Sequence, residues 1–182
     1  MKIALTQRIF YHKQRAYDGL EHGWYSFLKE HTLFPIANNI EQDFKKIALE
    51  NDLLIITGGN DPTVRRITET KLSTEFIKLK KPVLGVCHGA FLLTNLLGGS
   101  VEECDYHMDT DHNIISNGDI VLVNSYHNLQ IKKLHTTAKV LAEDPEGFCE
   151  AWIDGTIAGI VWHPERMTTP YLPKDIISLT GL

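Results

Sequence analysis

The stretch VLGVCHGAFLLTNLLGG, Val83 to Gly99, sets a cysteine between two glycines where an apolar run gives way to a helical pattern. The run PVLGV is short and continuous, as a parallel strand covered on both faces should be. HGAFLLTNL follows at helical spacing and halts at Gly98-Gly99. Cys87 falls on the join. Glycines two places before and two after it match the nucleophile-elbow pattern, with Cys in place of Ser. Larger residues at Gly85 and Gly89 would strike the neighbouring strand and helix. Such a turn lifts the thiol to the carboxyl edge of the sheet, where open α/β folds bind ligands. The helix N-terminus beneath it favours the thiolate, and the backbone N–H of His88 points to where an oxyanion would form. A buried structural cysteine is the plainer reading. A base is needed to decide between the two.

Working outward, β-type and helical patterns alternate through the first hundred residues. KIALT (2–6), LFPIA, LLIIT (53–57) and PVLGV read as strands. GLEHGWYSFLKEH, IEQDFKKIALE, STEFIKLK and HGAFLLTNL read as helices, with a polar loop after the first strand and GGNDP closing the third. In the second half GDIVLVNSYHN, AKVLAED, GFCEAWID and TIAGIVWHPE read as strands joined by Asp-Gly and Pro-Glu-Gly turns. The expected fold is an α/β three-layer sandwich. Its central sheet is mostly parallel, flavodoxin-like, with antiparallel additions in the C-terminal half. No repeat, low-complexity tract or linker divides the 182 residues, so one domain over 1–182 is expected.

Composition narrows the partners. The net charge is −5, and no basic block interleaves with aromatics, which argues against nucleic acid. No apolar run approaches the roughly 20 residues of a membrane helix. MKIALTQRIF lacks the apolar core of a signal peptide and reads as a first strand. Three cysteines without a CxxC make no disulfide framework, and a cytoplasmic protein with reduced thiols is expected.

GIVWHPE (159–165) supplies the base. An apolar run ends at His163, and Glu165 stands two places on, on the same side of an extended backbone. Glu165 can accept from one imidazole nitrogen while the other faces a thiol, which is the orienting logic of a triad. Cys87, His163 and Glu165 are the candidate catalytic set.

Taken together, TGGND, GVCHGAFLLTNLLGG, NSYHN and GIVWHPE resemble the class I glutamine amidotransferase superfamily over nearly the whole chain. The resemblance implies a Cys87–His163–Glu165 triad, with a second oxyanion donor at Gly59 or Asn60 beside that of His88. It also implies substrate contacts at Ser125, Tyr126 and His127. LTQRIFYHKQRAYDGLEHGWYSFL…LFPIANN resembles the γ-glutamyl hydrolase branch, whose members cleave a γ-glutamyl amide outright and pass no ammonia to a synthase. Glutaminases of the superfamily carry Gln four places after the nucleophile. Phe91 stands there, and it lacks the donor and acceptor of an amide. The chain is also shorter than is usual in the hydrolase branch.

Arg8 and Arg15 flank the first loop, and Arg65 and Arg66 follow GGNDPTV. Arg grips phosphate bidentately, so these four are candidate contacts to an anionic leaving group, and the resemblance to the hydrolase branch implies one of the kind used in capsular phosphoramidate biosynthesis. CDYHMDTDH gathers Cys104, Asp105, His107, Asp109, Asp111 and His112, but at no established ligand spacing. It is expected to be a solvated loop or a lid. No metal and no cofactor are expected, and Cys149 reads as core. The partner expected is a small γ-glutamyl compound. Two other functions stay open: a glutaminase subunit serving a partner synthase, and a non-catalytic thiol sensor built on Cys87.

Overall fold

The computed structural model describes residues 1–104 and 108–182. In chain order the first half holds β1 (Lys2–Thr6), β2 (Arg8–His12), β3 (Arg15–Gly19), α1 (His22–Phe27), β4 (Thr32–Ile36), α2 (Phe44–Glu50), β5 (Leu53–Ile56), α3 (Thr63–Lys78), β6 (Val83–Val86) and α4 (His88–Leu96). The second half holds β7 (Ser100–Glu103), β8 (Thr110–Ser116), β9 (Asp119–Ser125), β10 (Leu129–Lys133), β11 (Lys139–Glu143), β12 (Cys149–Asp154) and β13 (Ile157–Ile160). A 3₁₀ turn (Pro164–Arg166) and α5 (Lys174–Thr180) complete it.

The fold is α/β around a mixed sheet. Among the described residues eleven strands form one sheet, running β4-β1-β5-β6-β13-β12-β11-β8-β9, with β10 paired to β12 and β7. The first five strands on that path are parallel, and the remaining pairings are antiparallel. The antiparallel share is therefore larger than expected. Its cause is local: Asn117-Gly118 and Gly155 have positive φ and make tight turns, which can join only antiparallel neighbours.

Every residue of β5 and β6 is buried, which is why these strands read as unbroken apolar runs. Ile3, Leu5, Leu54, Ile56, Leu84, Val86 and Ile160 meet there with Phe76, Leu93, Trp152 and Trp162. Adjacency fixes the site. In register, Ile56 lies opposite Gly85 and Ile160 opposite Val86. The segments leaving β5, β6 and β13 therefore emerge side by side at one carboxyl edge.

Beyond β7, β10 and α5, which the patterns did not suggest, three differences from expectation stand out. The polar loop after β1 is a hairpin, β2–β3, pairing Arg8 with Gly19 and His12 with Arg15. Helix α3 begins at Thr63, directly after GGNDP, well ahead of STEFIKLK. Part of the segment read as an irregular loop is strand β8, in register with β9 from Thr110↔Ser125 to Ser116↔Asp119. Within the run from Cys104 to His112, Asp105 and His107 lie outside the described residues. Among the described residues no cluster of three or more His, Cys, Asp or Glu side chains is set to hold a metal. None of their helices is long and apolar enough to cross a membrane.

Candidate active site

Cys87 stands between β6 and α4 with φ +51° and ψ −106°, a region that costs a non-glycine residue about 1–3 kcal/mol. The surroundings hold it there. Its N–H donates to the Ile160 carbonyl (2.8 Å), and its own carbonyl accepts from Ala90 (3.0 Å) and Phe91 (3.2 Å). A Cβ on Gly85 would collide with the backbone of Gly89, and one on Gly89 with the carbonyl of Ile56. Both glycines of GVCHG are there because backbone meets backbone.

His163 lies just beyond β13, extended, as the N-cap of the 3₁₀ turn. That turn, and not alternation along a strand, brings Glu165 back to it. The Nδ1 of His163 donates to Glu165 Oε1 at 2.7 Å, with both side chains buried. The Cys87 side chain lies close enough to the ring to act on its charge. With Nδ1 taken by the carboxylate, Nε2 is the nitrogen left for the sulfur. Burial alone would lower the pKa of this imidazole, but the Glu165 hydrogen bond and the charges of Cys87 and Glu165 outweigh it and raise the value to about 9. At neutral pH the ring is a cation beside the Cys87 sulfur. Gly58 closes the other side, where a Cβ would overlap the imidazole.

The turn after β5 runs under the crevice. Gly59 has φ +126°, which favours glycine. Among the described residues, no backbone bond takes up the N–H of Gly59 or of His88. The Asn60 side chain is committed to the hairpin, donating to the Ile9 carbonyl (2.6 Å) and accepting from its N–H (3.4 Å). Arg65 is wholly buried. Its guanidinium reaches the carbonyls of Thr57 (2.6 Å) and Asn60 (2.8 Å) and the carboxylate of Glu69 (2.8 Å). The expectation that Arg65 grips an anionic ligand is corrected: it clasps the turn.

At the rim, the Arg8 side chain lies against Gly59 and pairs with Glu21 at 3.2 Å. Arg15 is exposed at the far end of the hairpin, and Arg66 is exposed and paired with Asp61 at 3.2 Å. Tyr126 sets its ring edge-on to His163, centroids 5.6 Å apart. Phe91 is buried and packs edge-on to His127, whose Nδ1 donates to the Leu129 carbonyl at 2.7 Å. Ser125 is fully buried. Buried Cys149 has its thiol pushed up by burial and by Glu150 and Glu143, so it stays protonated.

Several residues at the site escaped sequence reasoning. Asn124 holds the backbone of His163 from both sides, accepting from its N–H at 2.8 Å and donating to its carbonyl at 2.9 Å. An amide inside VLVNSY was the available signal. Arg166 makes two bonds to Glu21, at 2.9 and 2.8 Å, and lies over the Tyr126 ring at 4.6 Å. It lines a cavity of about 350 Å³ with Asn124, Tyr126 and Thr168. Glu69, beneath the turn, bonds His88, Arg65 and Thr6.

Comparison with known proteins agrees with this fold. The pattern of Glutamine amidotransferase class-I matches residues 16–177. The gamma-glutamyl-CDP-amidate hydrolase of Campylobacter jejuni is 28% identical over 91% of this chain and 90% of its own length. A glutamine-hydrolyzing GMP synthase subunit of Haloquadratum walsbyi is 29% identical over 79% of this chain and 85% of its own. Among solved structures, a glutamine amidotransferase from Thermotoga maritima superposes with a TM-score of 0.70 at 16% identity, covering 90% of this chain and 76% of that one. An elbow cysteine beside a histidine at the carboxyl edge of an α/β sheet, matched by a family pattern over most of the chain, makes this protein a member of the class-I glutamine amidotransferase family.

Proposed function

We propose that this protein is a cytoplasmic, single-domain cysteine hydrolase that cleaves a γ-glutamyl amide to glutamate and an amine. The observation that carries the reading is His163, held by Glu165 at 2.7 Å, beside an elbow cysteine near enough to act on its charge. The proton of the Cys87–His163 pair rests on the imidazole, and the Cys87 sulfur attacks the γ-carbonyl carbon as the carbonyl electron pair moves to oxygen. Backbone N–H groups of Gly59 and His88 receive that oxyanion. The C=O re-forms, the C–N bond breaks, and the proton on His163 passes to the leaving nitrogen. Water then loses a proton to the same imidazole and attacks the thioester. The C–S bond breaks, glutamate departs, and the imidazole keeps the proton taken from water, which restores the starting Cys87–His163 pair. No step calls for a metal or cofactor.

The leaving group we propose is phosphate-bearing, as in the substrate named for the Campylobacter relative. Two features support it. Arg8 and Arg166 are bridged by Glu21, which is near enough to His163 to feel its charge, and Phe91 replaces the amide expected for free glutamine. Ser125, Tyr126 and His127 are the contacts we propose for the glutamyl group. Arg15 and Arg66 remain candidate outer contacts to a long leaving group. Mass spectrometry after incubation with γ-glutamyl compounds tests the reading: a γ-glutamyl adduct on Cys87 is expected, and Cys87→Ala that still turns over overturns it.

The GMP synthase relative favours a second reading, a glutaminase subunit that feeds ammonia to a partner. It predicts hydrolysis of free glutamine that rises when the partner binds. A thiol sensor predicts reversible oxidation of Cys87 with no thioester.

A further inference from the structure

Helix α3 turns Arg65, Thr68, Glu69, Leu72, Ser73 and Phe76 inward, a regular helical stripe that is polar through its first half. Arg65 and Glu69 are both fully buried. Taking such a pair out of water costs several kcal/mol per ion, and an apolar stripe would hold the helix as well. What the pair holds is therefore the question.

The oxygens of Glu69 are divided between two neighbours. Oε1 accepts from Thr6 Oγ1 at 2.7 Å and from Arg65 Nε at 2.8 Å. Oε2 accepts from His88 Nε2 at 2.8 Å. Arg65 spends its other hydrogens on the carbonyls of Thr57, Gly58 and Asn60. One carboxylate is thus joined through a guanidinium to the turn carrying Gly59, and through an imidazole to the residue that follows Cys87. Those are the two segments assigned above as the oxyanion donors. Burial opposes ionisation of Glu69, but the His88 hydrogen bond, the Arg65 charge and Thr6 hold its pKa below the ordinary value, so it stays an acceptor.

We infer that Glu69, acting through Arg65 and His88, is a positioning residue that sets the separation of the two oxyanion donors. The inference rests on the thioester reading above. None of the three side chains needs to touch substrate. The His88 tether also resists relaxation of the elbow, since Cys87 next to it sits at positive φ. An oxyanion exists only along the reaction path, so a slack brace lowers kcat and leaves KM in place.

The test uses the full chain with His88→Leu, His88→Gln and Glu69→Gln. For each variant kcat and KM are measured on a γ-glutamyl anilide, with inhibition by a γ-glutamyl aldehyde, whose hemithioacetal on Cys87 presents the oxygen to the donors. His88→Leu should lower kcat and aldehyde affinity together by about 10–100-fold, less than the 10²–10³ of a donor removed outright, with KM within about twofold. His88→Gln, whose side-chain amide reaches the same carboxylate oxygen, should recover to within about fivefold of wild type. Wild-type kcat in His88→Leu, an equal loss in KM and aldehyde affinity, or a folded His88→Gln no better than His88→Leu overturns the inference. Should His88→Leu not fold, Glu69→Gln decides: a lowered ratio of aldehyde to substrate affinity supports the brace, and an unchanged ratio overturns it. A wild-type protein that forms no γ-glutamyl adduct on Cys87 removes the thioester reading itself, a different result from turnover that ignores the brace.

Discussion

Asn124 and His163 are joined twice, amide to backbone, across 39 positions of sequence. The pair sets where the imidazole begins, and Glu165 sets where it points. Replacing Asn124 with Leu leaves two buried backbone groups without partners, at about 1–3 kcal/mol each. A drop in kcat of about tenfold is expected, since general acid–base catalysis is worth 10²–10⁴ only at correct geometry. Steady-state kinetics beside urea denaturation checks both effects; wild-type kcat in a folded variant would contradict them.

The raised pKa of His163 predicts a pH profile. The groups around it are Cys87 and Glu165, with Glu21 close enough to feel its charge. The folded value of about 9 lies above the ordinary 6.5. Protonation of the ring therefore stabilises the fold fully below pH 6.5, and this contribution is lost as pH rises through about 9. Activity should fall over the same range as the leaving nitrogen loses its proton donor. Glu165→Gln should move the alkaline limb of kcat/KM to lower pH. A limb that stays in place would deny Glu165 its part in charging the ring.

Gly58 and Gly23 make a paired steric prediction. A methyl group at Gly58 overlaps the His163 ring, and one at Gly23 overlaps the Glu165 carbonyl. Gly58→Ala should cut kcat more than tenfold, since misplacement by about an ångström can cost 10²-fold. Gly23→Ala should destabilise by about 1–3 kcal/mol, the usual cost of overpacking. Thermal melts and single-turnover rates separate the two.

Arg65 and Arg166 should behave oppositely. Arg65→Ala strands the Glu69 charge in the interior, at about 3–5 kcal/mol, and is expected to fail in folding before it fails in binding. Arg166→Gln should keep its melting temperature within a few degrees, because its ion pairs are partly exposed. It should raise KM more for a γ-glutamyl phosphoramidate than for an anilide. Equal KM changes on the two substrates would remove Arg166 from leaving-group recognition.

What could be read from residues alone followed physical necessity. LLII and VLGV stand out because strands buried on both faces must be apolar throughout, and Cys87 stands out because its glycines have steric work to do. The β2–β3 hairpin was hidden since its turn places Lys13 (φ 46°) and Gln14 (φ 63°) where Asn-Gly is the usual signal. The start of α3 was hidden because its inner stripe carries Arg65 and Glu69 where periodicity looks for apolar residues. Glu165 reached His163 through a turn that no alternation rule describes. Asn124 and Glu21 act across long sequence separations, which no local pattern reports.

Because β5, β6 and β13 are neighbours, the turn bearing Gly59, the elbow and the imidazole ride on one slab of backbone. Relocating the chain termini to the Asn117-Gly118 bend, where both φ angles are positive, would leave that slab uncut. A circular permutant opened there should retain its chemistry, whereas one opened between β5 and β6 should lose it.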